Sequence, residues 1–144
     1  MPTVFRSMKA ADDGLPVVGD QSKELGVRVP PNPNADIDVD STTNLVVLNG
    51  KGMSVAENWR DLPYHLIPKR LKAIIADARA PDSVRCYRLG TGPFTAGPVM
   101  TELVVTLKPG KTRSGNICPS RPVSVPEYQA LLAATRVDWM EDES

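Results

Sequence analysis

Fourteen prolines are spread through this chain of 144 residues, about twice the usual share. Each fixes φ near −65° and removes a backbone donor, so it stops a helix and is excluded from the middle of a sheet. Long helices are thereby ruled out, and a loop-rich fold of short strands is predicted. The length suits one domain over residues 1–144, large enough to bury a real core.

Composition narrows the function classes. Hydrophobic residues make up 41% and charged residues 24%, as in ordinary globular proteins rather than disordered ones. Seventeen Lys and Arg balance 17 Asp and Glu, so no overall field attracts nucleic acid. Any nucleic acid would have to be held by a local patch such as Lys69–Lys72. One histidine and two distant cysteines fall short of a His/Cys zinc site. No run approaches the roughly 20 apolar residues of a membrane span. The opening MPTVFRSMKAADDG lacks an apolar stretch of signal-peptide length, so a cytoplasmic site of action is expected. Cys86 and Cys118 are then read as buried thiols rather than a disulfide.

Alternating residues predict strands at Thr3–Met8, Val84–Leu89 and Glu102–Leu107, the last ended by the turn Lys108–Lys111. Shorter extended pieces are expected at Leu25–Val29, Asp36–Val39, Leu45–Leu48, Met53–Glu57 and Asn116–Pro119. Asn58–Arg70, with two prolines, cannot be one helix. Lys69–Ala80 places Leu71, Ile74, Ile75 and Ala78 at helical spacing, and Val125–Arg136 does so with Tyr128, Leu131, Leu132 and Thr135. The acidic tail Glu141–Ser144 is expected to fray.

Familiar catalytic motifs are absent. Gly50–Ser54 lacks the Walker spacing, Gly90-Thr91-Gly92 runs into Pro93 instead of a helix, and no Gly-x-Ser-x-Gly elbow occurs. Ser54/Glu57 and Ser124/Glu127 both have capping-box spacing, the second followed by a convincing helix with Pro126 in its first turn. Arg6, in a strand between Phe5 and Met8, is expected to require an anionic partner if buried.

Three stretches carry a resemblance: the aromatic-Arg pair Phe5-Arg6 on the opening strand; Asp36-Ile37 followed by a glycine turn into Gly52-Met53-Ser54-Val55; and Ile117-Cys118-Pro119 followed by Pro122-Val123-Ser124 and a helix bearing Tyr128. In that order the chain resembles the type VI secretion cytotoxin family with an ADP-ribosyltransferase-like fold. The resemblance implies an α+β domain: a compact split antiparallel β-sheet of ADP-ribosyltransferase type, a few short helices and a C-terminal helix. It implies NAD as substrate, with no metal. Arg6 would hold phosphate or ribose and Ser54 would brace the nicotinamide side. Glu102 or Glu127 would stabilise the oxocarbenium-like ribose, although neither belongs to a Glu-x-Glu pair. Tyr64 and Tyr87 are candidates to stack on nicotinamide, with core packing as the competing role of each. A toxin of this kind implies a neutralising antitoxin or immunity protein and a macromolecular acceptor. The rival reading is a non-catalytic interaction domain that docks a partner through the proline-rich loops Pro30–Pro33 and Pro93–Pro98.

Overall fold

A computed structural model describes all residues 1–144. The chain is a mixed α/β protein. Its strands are β1 (Val4–Lys9), β2 (Met53–Ala56), β3 (Val84–Leu89), β4 (Gly97–Pro98), β5 (Leu103–Lys108), β6 (Lys111–Pro119) and β7 (Met140–Glu141), and its one α-helix is α1 (Val125–Ala133). The strands form one antiparallel sheet in the order β4-β5-β6-β2-β1-β3-β7. No helix is long and apolar enough to cross a membrane.

Pairing within the sheet is uneven. β1 is matched to β3 over six residue pairs and β2 to β6 over four, but β1 meets β2 at the single pair Phe5↔Ala56. The sheet is therefore two well-laddered halves, β4-β5-β6-β2 and β1-β3-β7, joined at one point. Beyond Phe5 and Ala56 the backbone groups of the two strands need other partners.

Side-chain alternation on β1 divides the core. Val4 and Met8 enter an 18-residue cluster with Leu25, Ile37, Met53, Tyr87, Tyr128 and Trp139. Phe5, on the other face, enters a seven-residue cluster with Ala56, Trp59, Ile67 and Cys86. α1 starts as predicted: the Glu127 N–H donates to Ser124 Oγ at 3.2 Å, and Tyr128 and Leu132 face the core. Its Tyr128 hydroxyl accepts from the Met53 N–H at 3.1 Å and donates to the Ile117 carbonyl, which fastens the helix across β2 and β6 from one buried oxygen. Cys86 and Cys118 are both buried and free.

Several expectations are corrected. Lys69–Ala80 is not a helix. It holds a single 3-10 turn, Lys69–Leu71, and is then closed on itself by Lys69 N–H to Ala80 O and Ala80 N–H to Ile67 O, both 2.9 Å. Leu71, Ile75 and Ala78 still pack on the smaller cluster, but Ile74 at helical spacing stays 52% exposed. Asn58–Arg70 supplies two further 3-10 turns, Trp59–Asp61 and Tyr64–Leu66. Ser54 lies inside β2, and Asn58 instead caps the first of these turns, its side chain accepting from the Arg60 N–H. Asp36–Val39 and Leu45–Leu48 form only isolated bridges, Val39↔Val46 and Leu45↔Ser124. α1 ends at Ala133 because the Thr135 hydroxyl bonds back to Leu132 O and accepts from Trp139 Nε1, the last at 2.9 Å.

The acidic tail does not fray. Met140 and Glu141 pair with Arg88 and Tyr87 as β7. Asp142 bonds Arg88 at 3.0 Å and Glu143 bonds Arg70. The Ser144 oxygen accepts from Trp59 Nε1 and Arg60 Nη1, each at 3.0 Å. Repulsion among the tail carboxylates is offset by Arg70 and Arg88.

Replacing Tyr128 by Phe leaves the buried Met53 N–H without an acceptor. An unsatisfied buried donor costs about 1–3 kcal/mol, so thermal denaturation is expected to show a Tm lower by roughly 4–10 °C. An unchanged Tm would show that the hydroxyl does not tie α1 to the sheet.

Candidate functional site

A cavity of about 390 Å³ opens where β1 and β2 separate, within the usual range for small-molecule sites. Its wall includes Arg6 and Ser7 of β1, Ser54–Ala56 of β2, Lys108 at the end of β5, Lys111 and Ser114 of β6, and residues of the loops carrying Lys23, Arg28, Asp36 and Asp61.

Arg6 occupies the split. Its Nη1 donates to the Ser54 carbonyl at 2.8 Å, and its Nη2 and Nε donate to the Glu24 carbonyl at 2.9 and 3.2 Å. It thus replaces the missing β1–β2 ladder bond at Ser54. The expected carboxylate partner is absent: two backbone carbonyls hold the guanidinium, and Asp36 acts on it only at longer range. Three of its five N–H groups are used by these bonds, leaving two for a ligand. The side chain keeps contact with the cavity, yet protein surrounds it so closely that burial lowers its pKa to about 10, with Asp36 opposing the shift. At neutral pH it remains a cation whose desolvation is only partly compensated. An anion in the cavity would supply the missing charge.

Ser54 stands beside it. Its hydroxyl accepts from Lys108 Nζ at 3.3 Å, so its own proton is free to donate. Burial lowers the Lys108 pKa, and Lys111 and Arg6 lower it further while Asp36 opposes them. Arg28 is the one cavity cation in an ion pair: it grips Asp36 with Nη2 to Oδ1 at 2.8 Å and Nε to Oδ2 at 3.2 Å, while the Arg28 N–H donates to the same carboxylate at 2.8 Å. Asp61 is held by Arg113 at 3.4 Å. Ser7 is buried and its Oγ has no hydrogen-bond partner, the one such side-chain atom in the molecule. A buried hydroxyl left unpaired is destabilising, and this one belongs to a cavity-wall residue.

Of the residues singled out from sequence, Arg6 and Ser54 are brought together here. The other four are placed elsewhere. Glu102 and Glu127 both pair with Arg121, at 2.6 and 3.2 Å, on an exposed surface away from the cavity wall. Glu102 sits in the turn just before β5 and Glu127 in the first turn of α1, and neither position faces the split. Tyr87 is fully buried with its hydroxyl on the Gly14 carbonyl at 2.9 Å, so its ring belongs to the core. Tyr64 is 48% exposed and is not part of the wall, although its neighbours Pro63 and His65 are.

Sequence reading missed Ser7, Lys23, Arg28, Asp36, Asp61, Lys108 and Lys111 as wall residues. A signal existed for one pair: Lys108 and Lys111 flank Pro109-Gly110, so a tight hairpin must bring two like charges close together. The chain matches no known protein family, no curated protein and no solved structure.

The arrangement suits an anion: a guanidinium with unused N–H groups, a serine hydroxyl and lysines line one cavity. Pyrophosphate is expected to raise the Tm in proportion to the logarithm of its concentration above Kd, by the equivalent of about 2.7 kcal/mol at a hundred times its Kd. Most of that rise should vanish in Arg6→Met and part of it in Lys108→Ala. An equal rise in Arg6→Met would place the anion elsewhere.

Proposed function

We propose that this chain is an NAD-binding, toxin-like domain of the ADP-ribosyltransferase type, acting in the cytosol, which transfers ADP-ribose to a macromolecule or hydrolyses NAD. The observation that carries the reading is the placement of Arg6: a first-strand arginine at the one-residue joint between two half-sheets, facing a cavity with Ser54 opposite. That is the geometry expected of a split sheet that cradles a dinucleotide, and it agrees with the motif order of the resemblance. Arg6 would hold the pyrophosphate through its free N–H groups, and Ser54, polarised by Lys108, would donate to the nicotinamide amide or ribose.

The chemistry suits such a site. When the bond between ribose C1′ and the nicotinamide nitrogen breaks, its electron pair goes to the ring, which leaves as a neutral base. The positive charge left on the ribose is stabilised by a nearby carboxylate and quenched by water or an acceptor nucleophile. The cavity carboxylates are Asp36 and Asp61, each held by an arginine. With Glu102 and Glu127 both turned to Arg121, they take the place of the expected glutamate in this scheme. A neutralising antitoxin or immunity protein covering the cavity mouth follows from the toxin reading.

A second reading has its own support. Both family-type glutamates are tied up away from the cavity, and both cavity carboxylates are ion-paired, which favours a non-catalytic interaction domain. Its proline-rich segments Pro30–Pro33 and Pro93–Pro98 are largely solvent-facing.

Incubation of the purified chain with NAD separates the two. The proposal expects release of nicotinamide by the wild type and at least a tenfold slower release by Arg6→Ala, about 1.4 kcal/mol or more of transition-state stabilisation. Asp61→Asn should slow release without abolishing binding. Absence of both NAD binding and nicotinamide release in the wild type would overturn the enzyme reading and leave the interaction domain.

A further inference from the structure

We propose that the cavity selects a dinucleotide bearing an additional phosphate monoester, of the NADP class, over NAD itself. The proposal rests on the dinucleotide reading above and adds the identity of the preferred ligand.

The wall carries five cations, Arg6, Lys23, Arg28, Lys108 and Lys111, against two carboxylates, Asp36 and Asp61. The excess is three positive charges in a chain whose net charge is zero. Arg28 and Asp36 neutralise each other at 2.8 Å, and Asp61 is taken by Arg113 from outside the wall. That leaves Arg6, Lys23, Lys108 and Lys111 with no carboxylate in contact. Elsewhere in the molecule arginines are routinely matched, as Arg70, Arg85, Arg88, Arg121 and Arg136 are. Lys69, Lys72 and Arg79 also lack a carboxylate in contact, but the four at the cavity share one wall, where they repel one another and cost stability unless an anion arrives.

NAD is a poor match for that excess. Its pyrophosphate is doubly negative and its nicotinamide ring positive, for a net charge of about −1. A phosphate monoester adds about −1.5 to −2 at neutral pH, which brings the ligand to about −3. Arg6, with two free N–H groups, accounts for the pyrophosphate. Lys108 and Lys111, held side by side by the Pro109-Gly110 turn between β5 and β6, then remain for a second anionic group. A phosphate monoester presents three acceptor oxygens to two ammonium groups, which act as point charges without a demand for planar geometry.

Calorimetric titration with NADP and with NAD, at about 50 mM and about 500 mM salt, tests this. NADP is expected to bind about tenfold or more tightly than NAD at the lower salt, with the ratio shrinking at the higher one as the Debye length falls from roughly 14 Å to 4 Å. In the Lys108→Ala/Lys111→Ala double variant the ratio of the two affinities should collapse to near one. NAD bound as tightly as NADP by the wild type would overturn the proposal while leaving the dinucleotide reading intact. A ratio that survives the double substitution would overturn the assignment to these lysines. Failure of both nucleotides to bind would remove the dinucleotide reading together with this one.

Discussion

The site depends on one interaction: the guanidinium of Arg6 bridging the carbonyls of Glu24 and Ser54. β1 and β2 are neighbours in the sheet, yet they share only the pair Phe5↔Ala56. Where the backbone ladder stops, Arg6 supplies donors in its place, so the two half-sheets are held together by a side chain that also carries charge. A neutral residue of similar length would leave two partly buried carbonyls without donors. An arginine satisfies them and still has N–H groups to spare. The same residue thus explains why the split is tolerated and leaves unused cationic donors beside the cavity.

Charge is distributed consistently with that role. Most surface arginines are matched with carboxylates, including those that hold the acidic tail against β3. The cavity wall gathers four cations without a carboxylate in contact, Lys23, Lys108, Lys111 and Arg6. A neutral chain can therefore present a strongly positive interior surface without a positive overall field. The burial that lowers the Arg6 pKa to about 10 makes the same point energetically: the folded state keeps a cation where solvation is poor. Because Arg6 would release its proton at lower pH in the folded than in the unfolded chain, its charge opposes folding at neutral pH, and that penalty is relieved only as pH rises from about 10 toward the unfolded value.

Much of the fold could be read locally, and the misreadings share a cause. β1, β3 and β5 were legible because alternation over six residues survives any tertiary context. α1 was legible because Ser124, Pro126 and the Tyr128/Leu132 face all agree. Lys69–Ala80 failed because its apolar residues have helical spacing, but Pro68 and Ala80 bridge to each other and draw the segment into a closed loop. The tail failed because its partners, Trp59, Arg60, Arg70 and Arg88, are far away in sequence. The site shows the same limit. Arg6 and Ser54 stood out because a buried arginine on a strand is unusual and their motifs are local. The lysine pair is foreshadowed by its Pro-Gly turn, but its place beside Arg6 and the Arg28–Asp36 clasp emerge only when β5, β6 and the loop before β2 are brought together. Glu102 and Glu127 were misplaced because residue type alone does not reveal that Arg121 claims both.

The central claim is that Arg6, at the joint between the half-sheets, holds the anionic ligand. A crystal structure of the chain with a bound dinucleotide tests it most directly. The account predicts pyrophosphate oxygens within about 2.7–3.2 Å of the Arg6 guanidinium nitrogens, with its bonds to Glu24 and Ser54 retained. A dinucleotide bound elsewhere, with the Arg6 nitrogens satisfied by backbone alone, would contradict it.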